Sequence, residues 1–240
     1  DVEYHMIAES DSQGYIATVK EEIEGGVAAL AFVNQRLYDM RQVFDLVDRS
    51  AIPYITFNID APESNRICYV GSDYRAGGRL AAEFIGKTIR LKERPRVLVV
   101  TTLEREDRYS DVPDINGERL EGFLAVMHTN FPNIECDVQY ITTKLKVGYQ
   151  DTQIFDLLES RQGEVDAVYL IAAFNTAFLE ALARLDYRNA TTVLHDIDSS
   201  SLHHLETRLL SAVIYQNPIL QGYYAVKMLE HIVESNQYSG

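Results

Sequence analysis

Along nearly the whole chain, apolar runs of strand length alternate with segments of helical period, and this limits the possible folds more than any other feature. VEYHMIA precedes a helical stretch at Tyr15–Ile23, VAALAFV precedes one at Met40–Val47, and IPYITF and CYVGS lead to one at Arg75–Ile89. The rhythm resumes with RVLVVTT, Gly117–Met127, DVQYIT, Thr152–Leu158, DAVYLIA, Thr176–Leu185, TTVLHD, a short helix near Leu202–Leu205, and SAVIY. Strands that are apolar at successive positions must leave water on both faces, which a parallel sheet covered by helices on each side allows. Two such rows imply an α/β chain of two lobes. The charged, proline-bearing stretch KERPR at Lys92–Arg96 reads as the passage from one lobe to the next.

Composition narrows the function classes. The 240 residues are 46% hydrophobic, enough for one large or two small cores, and the formal charge of −14 repels nucleic acid and anionic membrane. No apolar run approaches the roughly 20 residues that cross a bilayer, so the chain reads as soluble. Cys68 and Cys136 fall on separate expected strands in what read as different lobes; no disulfide between them and a reduced, cytoplasmic setting are expected. No G-x-G-x-x-G follows a strand, and neither a P-loop nor a G-x-S-x-G elbow occurs. His203–His204 and His195–Asp196 lack the partners of a zinc site or triad. No catalytic chemistry, cofactor or metal is expected, and His195 reads as a packed or lip histidine.

Several phrases carry a family resemblance. In Tyr69–Phe84, YVGSDYRAGGRLAAEF, Asp73 can cap the following helix, Gly77–Gly78 allow close packing, and Ala81–Ala82 keep one face slim. In Ser211–Leu229, SAVIYQNPILQGYYAVKML, a strand runs through Gln216 into Pro218, a residue suited to a first helical turn. Together with IPYITFNIDAPESNR, NGERLEGF and VLHDID, in this order and at about this spacing, they resemble the effector domains of LacI-type regulators and the periplasmic sugar-binding proteins of type I. The resemblance implies two Rossmann-like lobes with parallel sheets. It makes Gln216 a crossover, so the first lobe is residues 1–92 plus 217–240, with the last helix Pro218–Val233 on it, and the second lobe is 93–216. Such proteins carry a further strand and helix ahead of the one VEYHMIA matches, and a further strand at the end, so the site residues below are an incomplete set.

Parallel α/β sheets bind ligands beyond the carboxyl ends of their strands. Asn58 follows IPYITF, Asn175 follows DAVYLIA, Asp196 follows TTVLH and Gln216 follows SAVIY, and the resemblance assigns each to ligand contact. Each also has a structural alternative: a turn for Asn58 and Asp60 before Pro62, a helix cap for Asn175, and a cap of the Ser199–Leu205 helix for Asp196, where Asp198 and Ser199 are better placed. Arg119 sits in the first turns of a helix, against the macrodipole, so either a ligand or an ion pair with Glu118, Glu121 or Asp114 holds it there. With no Trp in the chain, Phe174, Tyr109 or Tyr15 must supply any aromatic face for a sugar ring. Tyr109 lies in Glu104–Asp114, a charged stretch without period that reads either as a surface loop or as a lip over a cleft.

The set Asn, Arg, Asn, Asp and Gln suits a neutral polyhydroxy ligand. The resemblance, leaning on FNIDAPESNR and GRLAAE, implies a regulator's effector domain closing two lobes on a sugar and touching DNA only through a separate headpiece. The alternative is a periplasmic solute-binding protein that delivers sugar to an ABC transporter or chemoreceptor. A regulator is expected to be a homodimer, with apolar surface at Leu37, Tyr38, Met40–Val47, Tyr69 and Arg75–Ile89 as the pairing face.

Overall fold

The structure, a computed structural model, describes residues 1–8, 11–34, 40–102, 114–142, 149–171 and 175–237. In chain order its elements are α1 (Ser12–Gly25), β1 (Leu30–Phe32), α2 (Arg41–Ser50), β2 (Tyr54–Phe57), β3 (Tyr69–Val70), α3 (Tyr74–Ile89), β4 (Arg96–Thr102), α4 (Ile115–Asn130), β5 (Glu135–Ile141), α5 (Tyr149–Arg161), β6 (Ala167–Leu170), α6 (Asn175–Arg184), β7 (Thr191–His195), α7 (Ser199–Glu206), β8 (Ala212–Ile214) and α8 (Pro218–Gln237). They form two compact units, the first including residues 1–72 and 217–237, and the second including the described residues from 73 to 216.

The second unit is a five-stranded parallel sheet in the order β5-β4-β6-β7-β8. Successive side chains of a strand face opposite ways, and here both faces are buried. Val97, Val99, Tyr169 and Val193 pack with Ala81, Ile85 and Ile89 of α3 and Phe123 and Met127 of α4. Leu98, Val100, Leu170 and Leu194 pack with Ile154 and Leu158 of α5 and Phe178, Leu179 and Leu182 of α6. The uninterrupted apolar runs of the sequence are thus strands with a core on each side.

Helix α3 corrects the expected boundary. It belongs to the second unit, so the chain changes unit at Ser72 and Asp73, and KERPR is only the turn between α3 and β4. The cause lies in the helix's small residues. A Cβ built on Gly78 would lie 1.9 Å from the carbonyl oxygen of Arg119, and one on Gly122 would lie 2.2 Å from that of Arg75. Each helix therefore lays a glycine on the other's backbone. Asp73 caps α3 as expected, its Oδ1 accepting the Ala76 N–H at 2.7 Å.

In the first unit, β1-β2-β3 form a parallel sheet. One core joins Tyr15 and Val19 of α1 to Phe32, Val43, Phe44, Val47 and Tyr54; another sets Ile55 against Ala225 and Ile232 of α8. The final helix groups with this unit. Two expectations fail here. Residues 1–8 form no strand, and Tyr4 and Met6 are exposed; a strand needs a neighbour for its N–H and C=O groups, and this stretch pairs with none of the described strands. The apolar residues of Met40–Val47 are spent on the core, so that helix offers no pairing face, while Leu80 and Phe84 of α3 are exposed in the second unit. Leu37 and Tyr38 lie outside the described residues. Cys68 and Cys136 fall in different units and are both free thiols.

Candidate ligand-binding site

At the carboxyl ends of β6, β7 and β8, the second unit gathers four of the residues singled out in the sequence. Arg119 enters from the second turn of α4, whose N-terminus is fixed by Asp114 accepting the Gly117 N–H at 2.9 Å and by Asn116 donating to Thr102 Oγ1 at 3.0 Å. Only 6% of Arg119 is exposed. Its Nη1 donates to the carbonyl of Ile171 at 3.1 Å, its Nη2 lies 4.0 Å from Asp196 Oδ2, and its guanidinium stands 5.7 Å from the centre of the Tyr74 ring. Of the ion-pair partners read from sequence, Glu121 pairs with Arg75 at 2.6 Å and Asp114 serves the cap. Asp196, at the end of β7, instead brings a carboxylate to the Arg119 guanidinium.

Asp196 sits in the left-handed region at φ 69°, which Asp tolerates better than a bulky residue. Its N–H donates to Ile214 O at 3.0 Å, and its Oδ1 accepts from Gln216 Nε2 at 2.7 Å. Its side chain is half exposed. The capping alternative goes to Asp198, whose carboxylate accepts the Ser201 N–H at 2.7 Å while Ser201 Oγ accepts the Asp198 N–H at 2.8 Å. Asn175 opens α6, and its Nδ2 donates to the His195 carbonyl at 3.0 Å, tying the helix start to the strand end.

His195 is the packed histidine that was expected. It is 4% exposed and shares a 2.6 Å hydrogen bond between its Nε2 and the Tyr169 hydroxyl. Burial, with the nearby Arg119 charge, pulls its pKa down to about 2, so it stays neutral; burial likewise pushes the Tyr169 phenol up. Its Nδ1 is buried without a hydrogen-bond partner among the described residues. Sequence reasoning passed over Tyr74 and Tyr169, which floor Arg119 and hold His195. Nothing local marks either, since each partner lies at least 26 residues away.

The first unit carries the other two residues. Asn58 ends β2 in the left-handed region at φ 60°, its N–H donating to Val70 O at 3.0 Å and its carbonyl accepting from the Tyr69 hydroxyl at 2.8 Å. Asp60 takes the turn role that the sequence also offered it. Its Oδ1 accepts from Thr56 Oγ1 at 2.8 Å, from the Ala61 N–H at 2.7 Å and from Arg66 Nε at 2.5 Å, and its Oδ2 accepts from Arg66 Nη2 at 2.8 Å. A carboxylate with those four bonds has little capacity left. Tyr15 is corrected as well: it is buried in the core beside Phe32 and offers no sugar-facing ring. Phe174 and Tyr109 lie outside the described residues.

The second-unit cluster places one desolvated guanidinium, one half-exposed carboxylate and two amides at the strand ends. Directional donors and acceptors with cancelling formal charge can bind hydroxyl groups, each of which donates once and accepts twice.

The profile of a family described as "Periplasmic binding protein domain" matches residues 1–237. The chain is 23% identical over 233 residues to the ribose import binding protein RbsB of Bacillus subtilis, a match covering 96% of this chain and 71% of that protein. Among solved structures, a carbohydrate-transporter solute-binding protein from Agrobacterium radiobacter, in complex with D-arabinose, superposes with a TM-score of 0.72 at 19% identity, over 95% of this chain and 76% of that one. A candidate LacI transcriptional regulator from Bacteroides fragilis superposes with a TM-score of 0.75 at 17% identity, over 96% of this chain and 78% of that one.

Proposed function

Starting from a chain that belongs to the periplasmic binding protein domain family, we propose that it binds a neutral sugar through Arg119, Asp196 and Gln216 and serves as a solute-binding protein. The observation that carries this is the buried Arg119, held on the Ile171 carbonyl and facing Asp196 beyond the ends of a parallel sheet. A guanidinium taken from water keeps its place when its donors are used, and the fork geometry fits vicinal oxygens. The names of the relatives, ribose import and an arabinose complex, support a sugar ligand and turn the weight from a regulator toward solute capture. Thermal melting with D-ribose, D-arabinose, D-glucose and D-galactose, against glucose 6-phosphate and an amino-acid mixture, tests it. A neutral sugar raises the melting temperature as mass action requires; stabilisation by the charged compounds alone refutes it.

The second reading, the effector domain of a LacI-type regulator, is supported by the Bacteroides fragilis likeness. It carries a cytoplasmic setting and a homodimer with it. Sedimentation equilibrium separates the two, since a regulator that reads paired half-sites assembles as a dimer, whereas a solute-binding protein is expected to stay single.

A further inference from the structure

In the second unit the registered pairing of β6 with β7 runs from Ala167 and Thr191 to Leu170 and Leu194. Past that point each strand bonds its other neighbour: Ile171 donates its N–H to Val100 O at 2.9 Å, and Asp196 donates its own to Ile214 O at 3.0 Å. These two ends carry the charges of the site, since the Ile171 carbonyl holds Arg119 and Asp196 supplies the carboxylate. A parallel ladder fixes strand spacing through its hydrogen bonds, so where the ladder stops the spacing passes to side chains. Two side-chain links bridge the gap, and both end on His195. Tyr169, from β6, shares the 2.6 Å hydrogen bond with its Nε2, and Asn175, at the start of α6, donates to its carbonyl at 3.0 Å.

Tyr169 and His195 are both buried, and the neighbours of Tyr169 are apolar: Phe123 of α4, Val97, Val99 and Val193. A polar pair in such a core is costly unless its members bond each other, and it then gives a direction that an apolar pair lacks. Gly77 of α3 leaves the imidazole room, since a Cβ there would lie 3.3 Å from His195 Cε1. The next residue is Asp196, already turned into the left-handed region and bonded by Gln216, so a shift of His195 passes directly to the carboxylate. We propose that His195 is a positioning residue of the sugar site: held through its ring by Tyr169 and through its carbonyl by Asn175, it sets where the Asp196 carboxylate stands relative to the Arg119 guanidinium. The inference rests on the sugar-binding reading above and lies wholly within the second unit.

The test is calorimetry on the full chain, well below its melting temperature, with whichever of D-ribose, D-arabinose, D-glucose and D-galactose binds the wild type most tightly. Tyr169→Phe and His195→Phe each keep a ring and remove the bond between the two side chains. Each lowers affinity by about three- to tenfold, the worth of one hydrogen bond to the sugar lost through misalignment. His195→Gln, whose amide reaches about as far as Nε2 and can still bond the Tyr169 hydroxyl, restores it. The double Phe variant is no weaker than either single one, because both remove the same bond. A role in stability alone lowers the unfolding midpoint of Tyr169→Phe and leaves the affinity of the folded protein unchanged; that result overturns the proposal, as does a His195→Gln protein as weak as His195→Phe. If Arg119→Ala loses binding while both Phe variants bind as the wild type does, only this inference falls; if none of the four sugars binds the wild type, the sugar-binding reading falls and this inference with it.

Discussion

Gly77 and Gly78 are adjacent on α3 and read alike in the sequence, yet alanine at the two positions has very unequal expected effects. At Gly78 the new Cβ would lie 1.9 Å from the Arg119 carbonyl oxygen and 2.9 Å from the Phe123 nitrogen, where real contacts begin near 3.0 Å. Both obstacles are helix backbone, so α3 must move off α4 by more than an ångström. Overpacking of a core costs about 1–3 kcal/mol, and a backbone obstacle belongs at the top of that range. At Gly77 the nearest atom is His195 Cε1 at 3.3 Å, the rim of a side chain, and replacing a helical glycine returns about 1 kcal/mol of propensity. Gly77→Ala is therefore close to neutral. Urea unfolding and thermal melting compare them, and a loss of about 3 kcal/mol corresponds to roughly 6–12 °C for a chain of this size. Gly78→Ala also lowers sugar affinity, because the displaced carbonyl is that of Arg119. Equal stability of the two variants refutes the close-packed α3–α4 contact.

Removing the Tyr169 hydroxyl with Tyr169→Phe leaves His195 Nε2 buried without a partner, and destabilises the protein by about 1–3 kcal/mol in denaturant titration. His195 is held neutral in the fold while the unfolded chain takes up a proton near pH 6.5, so stability is full above that pH and falls as pH drops toward the folded value of about 2. Between pH 6.5 and 5 the loss attributable to His195 is about 2 kcal/mol, and His195→Gln removes that part of the pH slope. Asp60→Asn weakens the Arg66 clamp and costs about 1–3 kcal/mol of stability in the first unit, with little change in sugar affinity.

What was legible in the sequence follows from which interactions are local. The strands of the second unit could be read because both faces are buried and the apolar runs are unbroken. Asp196, Gln216 and Asn58 could be placed at strand ends for the same reason. The lobe boundary was misplaced because α3 follows β3 directly, whereas the partner that claims it, α4, begins only at Ile115; a slim glycine face does not say what it packs against. Asp60 looked like Asn58, two positions earlier, and only the folded turn brings Arg66 onto its carboxylate. Tyr74 beneath Arg119 left no pattern at all, since a single aromatic at a helix start is ordinary.

The central claim is that Arg119 is buried to hold a neutral sugar. Titration calorimetry of the wild type and Arg119→Ala with D-ribose, D-arabinose, D-glucose and D-galactose tests it most directly. The account predicts that at least one sugar binds the wild type at one site per chain, and that truncating the buried guanidinium costs about 2–5 kcal/mol, a loss of roughly thirtyfold or more. Unchanged sugar affinity in Arg119→Ala would contradict it.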